Sequence, residues 1–332
     1  MSQRANVNVS GGGSRVTYYM SLQANHDSGI LDVPNNYSIK NNYNRWLYTF
    51  QNNIGYKLTS TTKLDLRMNA QIVNSKSPNV SSNDIFNSIY NNNPVLYPAM
   101  YPASPDDTHI KFGSAVMSGS KYYENPYAYM LNTFKEENYS KLNVALNLDQ
   151  KLDFITKGLS LTALVNFNSY ATSYYTRSLT PFYYSVVNGS YNPADNTFEL
   201  AEYLSESGIS RNADNTFYFD ARLNYNRRFG NHSVAGMLMY MMREYRSDVL
   251  PNRNQGFSGR FTYDYGNKYL VEFNFGYNGT ERIQKDDRFE FFPAASIGWV
   301  ISNEDFWEPL KDYVNHLKIR ASYGLVGSDE TG

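Results

Sequence analysis

Through residues 61–75, TTKLDLRMNAQIVNS, apolar and polar positions alternate almost without a break. Leu64, Leu66, Met68, Ala70 and Ile72 share one face of an extended chain, and Lys63, Asp65, Arg67, Asn69 and Gln71 share the other. A period of two belongs to a β-strand that separates two environments. The same alternation returns at 16–24 (VTYYMSLQA), 141–149 (KLNVALNLD), 159–168 (LSLTALVNFN), 216–226 (TFYFDARLNYN), 269–278 and 317–325. The pattern predicts twelve strands, near 4–10, 15–24, 43–58, 62–75, 139–154, 158–172, 216–229, 232–245, 256–265, 268–280, 290–302 and 314–326.

Two kinds of molecule write such a pattern. A soluble sheet turns its apolar face to a core and its polar face to water. A membrane barrel turns its apolar face to lipid and its polar face to a wet lumen. Several of these strands exceed the roughly 5–6 residues usual in soluble sheets and reach the roughly 9–11 that a tilted strand needs to cross a bilayer. Connections alternate in length. Short ones at 11–14, 59–61, 155–157, 229–231 and 266–267 alternate with long ones at 25–42, 76–138, 173–215, 246–255 and 281–289. The connection at 303–313 is intermediate in length. Periplasmic turns and extracellular loops of an outer-membrane barrel differ in this way. Tyr43, Trp46, Tyr48, Tyr56, Tyr265 and Tyr269 sit near strand ends, where interfacial aromatics belong. The expected fold is therefore all-β, an antiparallel transmembrane β-barrel of which about twelve strands are present. A soluble or surface-exposed all-β glycan-binding protein stands as the rival reading. The first strand runs into a short turn and the last leaves the 303–313 connection, so both outer ends of this stretch point away from the periplasm. The expectation is a fragment cut through extracellular loops.

Composition sharpens this picture. The 332 residues carry a net charge of −1, which gives no field directed at nucleic acid. Absence of cysteine removes disulfides, thiolate metal sites and cysteine nucleophiles. Mean hydropathy is −0.57, and apolar runs such as MLMYMM at 237–242 are too short for a membrane helix. That does not count against a barrel, whose strands are half polar. No apolar leader opens the chain at MSQRANVNVS. The chain holds 31 Tyr and 40 Asn, a stock of rings and amides suited to stacking on sugars and bonding their hydroxyls.

Catalytic chemistry finds little support. His26, His109, His232 and His316 have no ligand spacing, and neither a metal site nor a cofactor is expected. Asp106-Asp107 and Asp286-Asp287 read as solvated loop carboxylates, with a loop calcium site left open. GGGSR at 11–15 joins two strands and reads as a hairpin turn, not a phosphate loop. ADNTF occurs at 194–198 and at 213–217 and reads as shared turn chemistry.

Three segments carry a resemblance. GYNGT (276–280), RFEFFPAASIGW (288–299) and LKIRASYGLVG (317–327) resemble signature stretches of the SusC/RagA family of TonB-dependent outer-membrane transporters, and NVNVSGGGSRVTYYMSL (6–22) resembles the family's early-barrel hairpin. The resemblance implies a barrel of about 22 strands around an N-terminal plug. It also implies TonB-powered import of oligosaccharides or peptides and a SusD-like surface lipoprotein as lid. Plug, TonB box, signal peptide and terminal strands are not seen, so residues 1–332 are expected to be part of a barrel domain that does not transport alone. Outer-membrane lipid, the SusD-like lipoprotein, TonB through the plug, and the substrate are the expected partners, in the outer membrane of a Gram-negative cell. Loop 76–138, with Tyr90, Tyr97 and Tyr101 set among prolines, is the candidate for substrate contact or lid docking. Packing of the loop upon itself is the alternative for those rings. Asp65, Arg67 and Asn69 are expected to face the lumen, where cross-strand pairing competes with a substrate role.

Overall fold

A computed structural model describes residues 1–31, 42–105, 107, 109–118, 121–193 and 204–327. Twelve strands run as one antiparallel meander, each hydrogen-bonded to the next in sequence order. They are β1 (Ser2–Gly12), β2 (Val16–Ser28), β3 (Asn44–Lys57), β4 (Thr62–Pro78), β5 (Thr133–Lys151) and β6 (Leu159–Leu179). The series continues with β7 (Ser210–Phe229), β8 (His232–Arg246), β9 (Asn252–Tyr265), β10 (Tyr269–Thr280), β11 (Phe289–Val300) and β12 (Lys318–Gly324). All twelve expected strands are present. Six of them, β2, β4, β5, β6, β7 and β9, run three or more residues farther at their loop ends than the alternation indicates, because ladder pairing continues past the point where the two faces differ in polarity.

Register decides what each face becomes. Leu66 lies opposite Ile54 and Leu146, Leu146 opposite Val165, and Val165 opposite Phe219. Beyond β7 the same face carries Phe261 opposite Phe273, and Val271 opposite Ile297. The apolar positions of the separate strands thus merge into one apolar band along the whole sheet. Among the described residues no second layer covers it: Leu238 is 57% exposed, Phe257 57% and Ile297 62%. Burying a large apolar side chain is worth roughly 1.5–3 kcal/mol, so ten such positions left in water forgo on the order of 20 kcal/mol. That exceeds the ~5–15 kcal/mol of a whole soluble domain. The band requires hydrocarbon.

Aromatic rows bound the band. Near the short turns His232, Tyr265, Tyr269 and Trp299 lie in one cross-strand line, with Tyr265 and Tyr269 stacked at 6.4 Å between centroids. Toward the long loops Tyr240, Phe257, Tyr277 and Phe291 form a second line. Phe257 and Tyr265 are eight residues apart on β9, about 27 Å along the strand. At a tilt of ~40° this is about 20 Å of height, close to the ~25 Å apolar band of an outer-membrane barrel.

Turn chemistry sets the hairpins. Gly266 and Asn267 both take positive φ (61° and 55°) in the three-residue connection between β9 and β10, where the Lys268 N–H closes the turn on Tyr265 O at 2.9 Å. Asp264 Oδ1 accepts from the Asn267 N–H at 2.7 Å. The GGGS segment is the expected hairpin turn, closed by Gly13 N–H to Val16 O at 2.7 Å. ADNTF at 213–217 lies inside β7, so the shared-turn reading fails there. Alternating Asp214/Thr216 with Ala213/Asn215/Phe217 suits a strand as well as a turn. The copy at 194–198 lies outside the described residues.

Candidate functional site

Opposite the apolar band, the second face is polar across the sheet. Asn8, Ser21, Gln51, Asn69, Asn143 and Asn168 stand in one line across six strands. Asn143 donates to Asn168, whose own amide donates to Asn166 Oδ1 at 2.7 Å. Asn69 is half-buried in this line, opposite Gln51 and Asn143. Asp65 pairs with Lys63 at 2.8 Å on the same face. Arg67 is exposed, opposite Asn53 and Ala145. On β7, Asp220 is fully buried, and Arg222 Nη2 donates to its Oδ2 at 2.9 Å. Arg222 Nε lies 2.8 Å from Asp220 Oδ1 at an angle too poor for a hydrogen bond. Met237, Met239 and Met241 share this face, an apolar stripe in an otherwise polar surface.

The two longest connections fold together at the loop end. Residues 79–132 carry α1 (Ser82–Tyr90) and α2 (Pro126–Leu131). Ser81 caps α1, with Oγ accepting from the Asp84 N–H at 3.1 Å. Asn125 caps α2 from a fully enclosed position. Its Oδ1 accepts from Tyr127 N–H (2.9 Å) and Ala128 N–H (3.3 Å), while Nδ2 donates to Ala99 O (2.9 Å) and Gly113 O (2.7 Å). One side chain therefore satisfies four backbone groups and ties three pieces of the loop. Ile85, Ile110, Phe112, Ala128, Met130 and Leu131 make the buried apolar cluster. The strand Lys111–Gly113 pairs in parallel with Phe182–Val187 from the next loop, which turns back through Asn188-Gly189 at positive φ.

The structure separates the three candidate tyrosines. Tyr97 is buried, its hydroxyl within hydrogen-bond distance of Asn92 Oδ1 (2.6 Å) and Glu124 O (3.1 Å), and burial pushes that hydroxyl's pKa up. Tyr101 is half-buried edge-on against Tyr191 at 5.0 Å, with its pKa also raised by burial. Tyr90 is 90% exposed at the end of α1. Loop packing thus claims Tyr97 and Tyr101, and only Tyr90 presents its ring freely. Alternation could not reveal this, because a helix and a strand pair fill a segment without strand periodicity. Ser81 with Asp84 is a capping signal that marks α1 in the sequence. Asp107 is not merely solvated: Lys111 at 2.6 Å and the Ser104 N–H hold its carboxyl below the ordinary range. Asp106 lies outside the described residues.

At the opposite end, Glu304 gathers the rim. It accepts from Trp299 Nε1 at 3.0 Å and from Lys268 Nζ at 3.0 Å. Hydrogen bonds from the Tyr269 hydroxyl, the Lys268 ammonium and the Trp299 indole push its pKa down to about 2. Two aromatics of the rim row are thereby oriented by one carboxylate.

Comparison with known proteins agrees with this architecture. The chain is 33% identical over 93 residues to TonB-dependent receptor SusC of Bacteroides thetaiotaomicron, a match covering 27% of this chain and 9% of the receptor. It is 22% identical over 370 residues to TonB-dependent receptor P26 of Formosa agariphila, covering 98% of this chain and 32% of that receptor. Its fold superposes on the RagAB peptide importer in the open-open state with a TM-score of 0.64 and 15% identity, covering 99% of this chain and 37% of that one. A second structure of the RagAB peptide transporter gives 0.60 and 15% identity, with 100% and 37% covered. No protein-family model matches the chain. The chain spans a third or less of the length of the curated relatives it matches. The curated relatives it matches are named TonB-dependent receptors, and its fold is similar to about a third of the RagAB transporter chain.

Proposed function

We propose that this chain forms part of the wall and extracellular mouth of a TonB-dependent importer of oligosaccharides or peptides in a Gram-negative outer membrane. The observation that carries this reading is the apolar band, exposed along the sheet, interrupted at Asn52 and bounded across β8–β11 by two aromatic rows. Its polar reverse, with Asp65, Arg67 and the Asn69 amide line, then borders a hydrated lumen. Asp65 is paired along its own strand with Lys63 and Asn143 is bonded across strands to Asn168, and exposed Arg67 is the one best placed to meet a plug or a passing solute. The loop unit presents Phe86, Ile89, Tyr90, Val95 and Leu96 outward, an apolar surface suited to a SusD-like lipoprotein lid or to stacking on substrate rings. The energy for opening comes, in this reading, from TonB acting on a plug.

Cell fractionation and detergent extraction of the full-length protein test the proposal. It should sediment with outer membranes and leave them only in detergent. A protein that stays soluble and monomeric in plain buffer would overturn the reading.

A further inference from the structure

At the loop end of the polar face, across β8 to β12, lies a cavity of about 440 Å³ lined by Met241, Asn254, Asn278, Arg288, Glu290 and Phe292 among others. Three of these stand in one cross-strand row, Met241–Gly256–Asn278–Glu290, in which Gly256 supplies the gap. A Cβ at Gly256 would collide with the Asn278 amide, so glycine at this position is what lets Asn278 lie across β9. Arg288 enters from the loop side. It follows the single turn Lys285–Asp287, and its carbonyl accepts from the Thr280 N–H at 3.3 Å.

Arg288 carries the argument. Its Nε is buried yet has no hydrogen-bond partner among the described residues. Glu290 and Asp287 line the same cavity, yet neither accepts from that Nε among the described residues. A desolvated guanidinium N–H without an acceptor is costly, and its planar fork matches a carboxylate in geometry and charge. Around it, the Asn254 and Asn278 amides offer donors and acceptors, and Met241 and Phe292 an apolar floor.

We propose that this cavity is a subsite for a carboxylate-bearing ligand, with the carboxylate on Arg288 and flanking hydroxyl or amide groups on Asn254 and Asn278. The inference rests on the importer reading above. A carboxylate arrives on a uronic-acid oligosaccharide or on a peptide C-terminus, and the test separates the two.

Calorimetric titration of the full-length protein in detergent uses four probes: tetragalacturonate and its methyl ester, and pentaalanine and its C-terminal amide. At least one free acid should bind tenfold or more tightly than its neutral counterpart. Arg288→Gln should remove that preference, and Arg288→Lys should keep part of it. Which acid binds identifies the source of the carboxylate. Equal binding of acid and neutral forms, no binding of either acid, or an undiminished preference in Arg288→Gln would each overturn the subsite. Should Arg288→Gln fail to fold, the acid-against-neutral comparison on the unaltered protein still decides. Any of these failures in a protein that fractionates with outer membranes leaves the importer reading standing.

Discussion

Glu304 shows how one side chain can hold a rim together. Its carboxyl is kept ionised by Tyr269, Lys268 and Trp299 down to about pH 2, against an ordinary value of 4.5. A carboxylate whose pKa is lowered by folding contributes stability that is fully present above its ordinary pKa and is lost as pH falls toward the lowered one. The turn-end clamp should therefore hold unchanged from neutral pH to about 5 and release between about 4.5 and 2. Indole fluorescence of the full-length protein, titrated with acid, checks this. The unaltered protein should show a transition in that window, and Glu304→Gln should lack it. A transition of equal size in both would remove Glu304 from the account. The alternation places Tyr269 near a strand end, but not its carboxylate partner. Glu304 follows Trp299 by five residues across a connection with no periodicity, and only the chain reversal there brings it back to Lys268 and Tyr269.

Strands were the most legible elements, and the reason is physical. A barrel wall keeps the same two environments along each strand, so the period of two persists for ten or more residues. Where the environments become alike the signal fades. KEEN (135–138) in β5 and SRN (210–212) at the start of β7 are polar on both faces, and their membership of the sheet shows only in the ladder. Glycines within strands look like interruptions in the sequence but have a packing role in the fold. Gly259 lies opposite Phe275, whose ring covers it, and a Cβ there would strike that ring. Gly259→Val should destabilise the wall by about 1–3 kcal/mol, as overpacking does. Thermal unfolding of the full-length protein in detergent should show the loss, and adding Phe275→Ala should recover part of it. Purely additive losses would mean the ring and the glycine do not share that space.

For the whole molecule, the outcome turns on which face meets what. Leu238 lies between the two aromatic rows on the apolar face, and Asn69 lies on the polar one. Leu238→Arg should cost about 2–4 kcal/mol near the bilayer midplane, whereas Asn69→Arg should stay within about 0.5 kcal/mol. Reversible unfolding from lipid vesicles measures both, and equal costs would mean that the faces are assigned wrongly. The sequence by itself determined the strand count, the alternation of turns and loops, and the segregation of each strand into two chemical faces, because these follow from local spacing. Only the tertiary structure decided that the apolar faces join into one uncovered band. That depends on register between strands, and a one-residue slip anywhere would have turned the next strand's leucines toward the lumen. It alone also decided that Tyr97 is sealed inside a folded loop while Tyr90 stands free, because burial there comes from contacts between segments far apart in the chain.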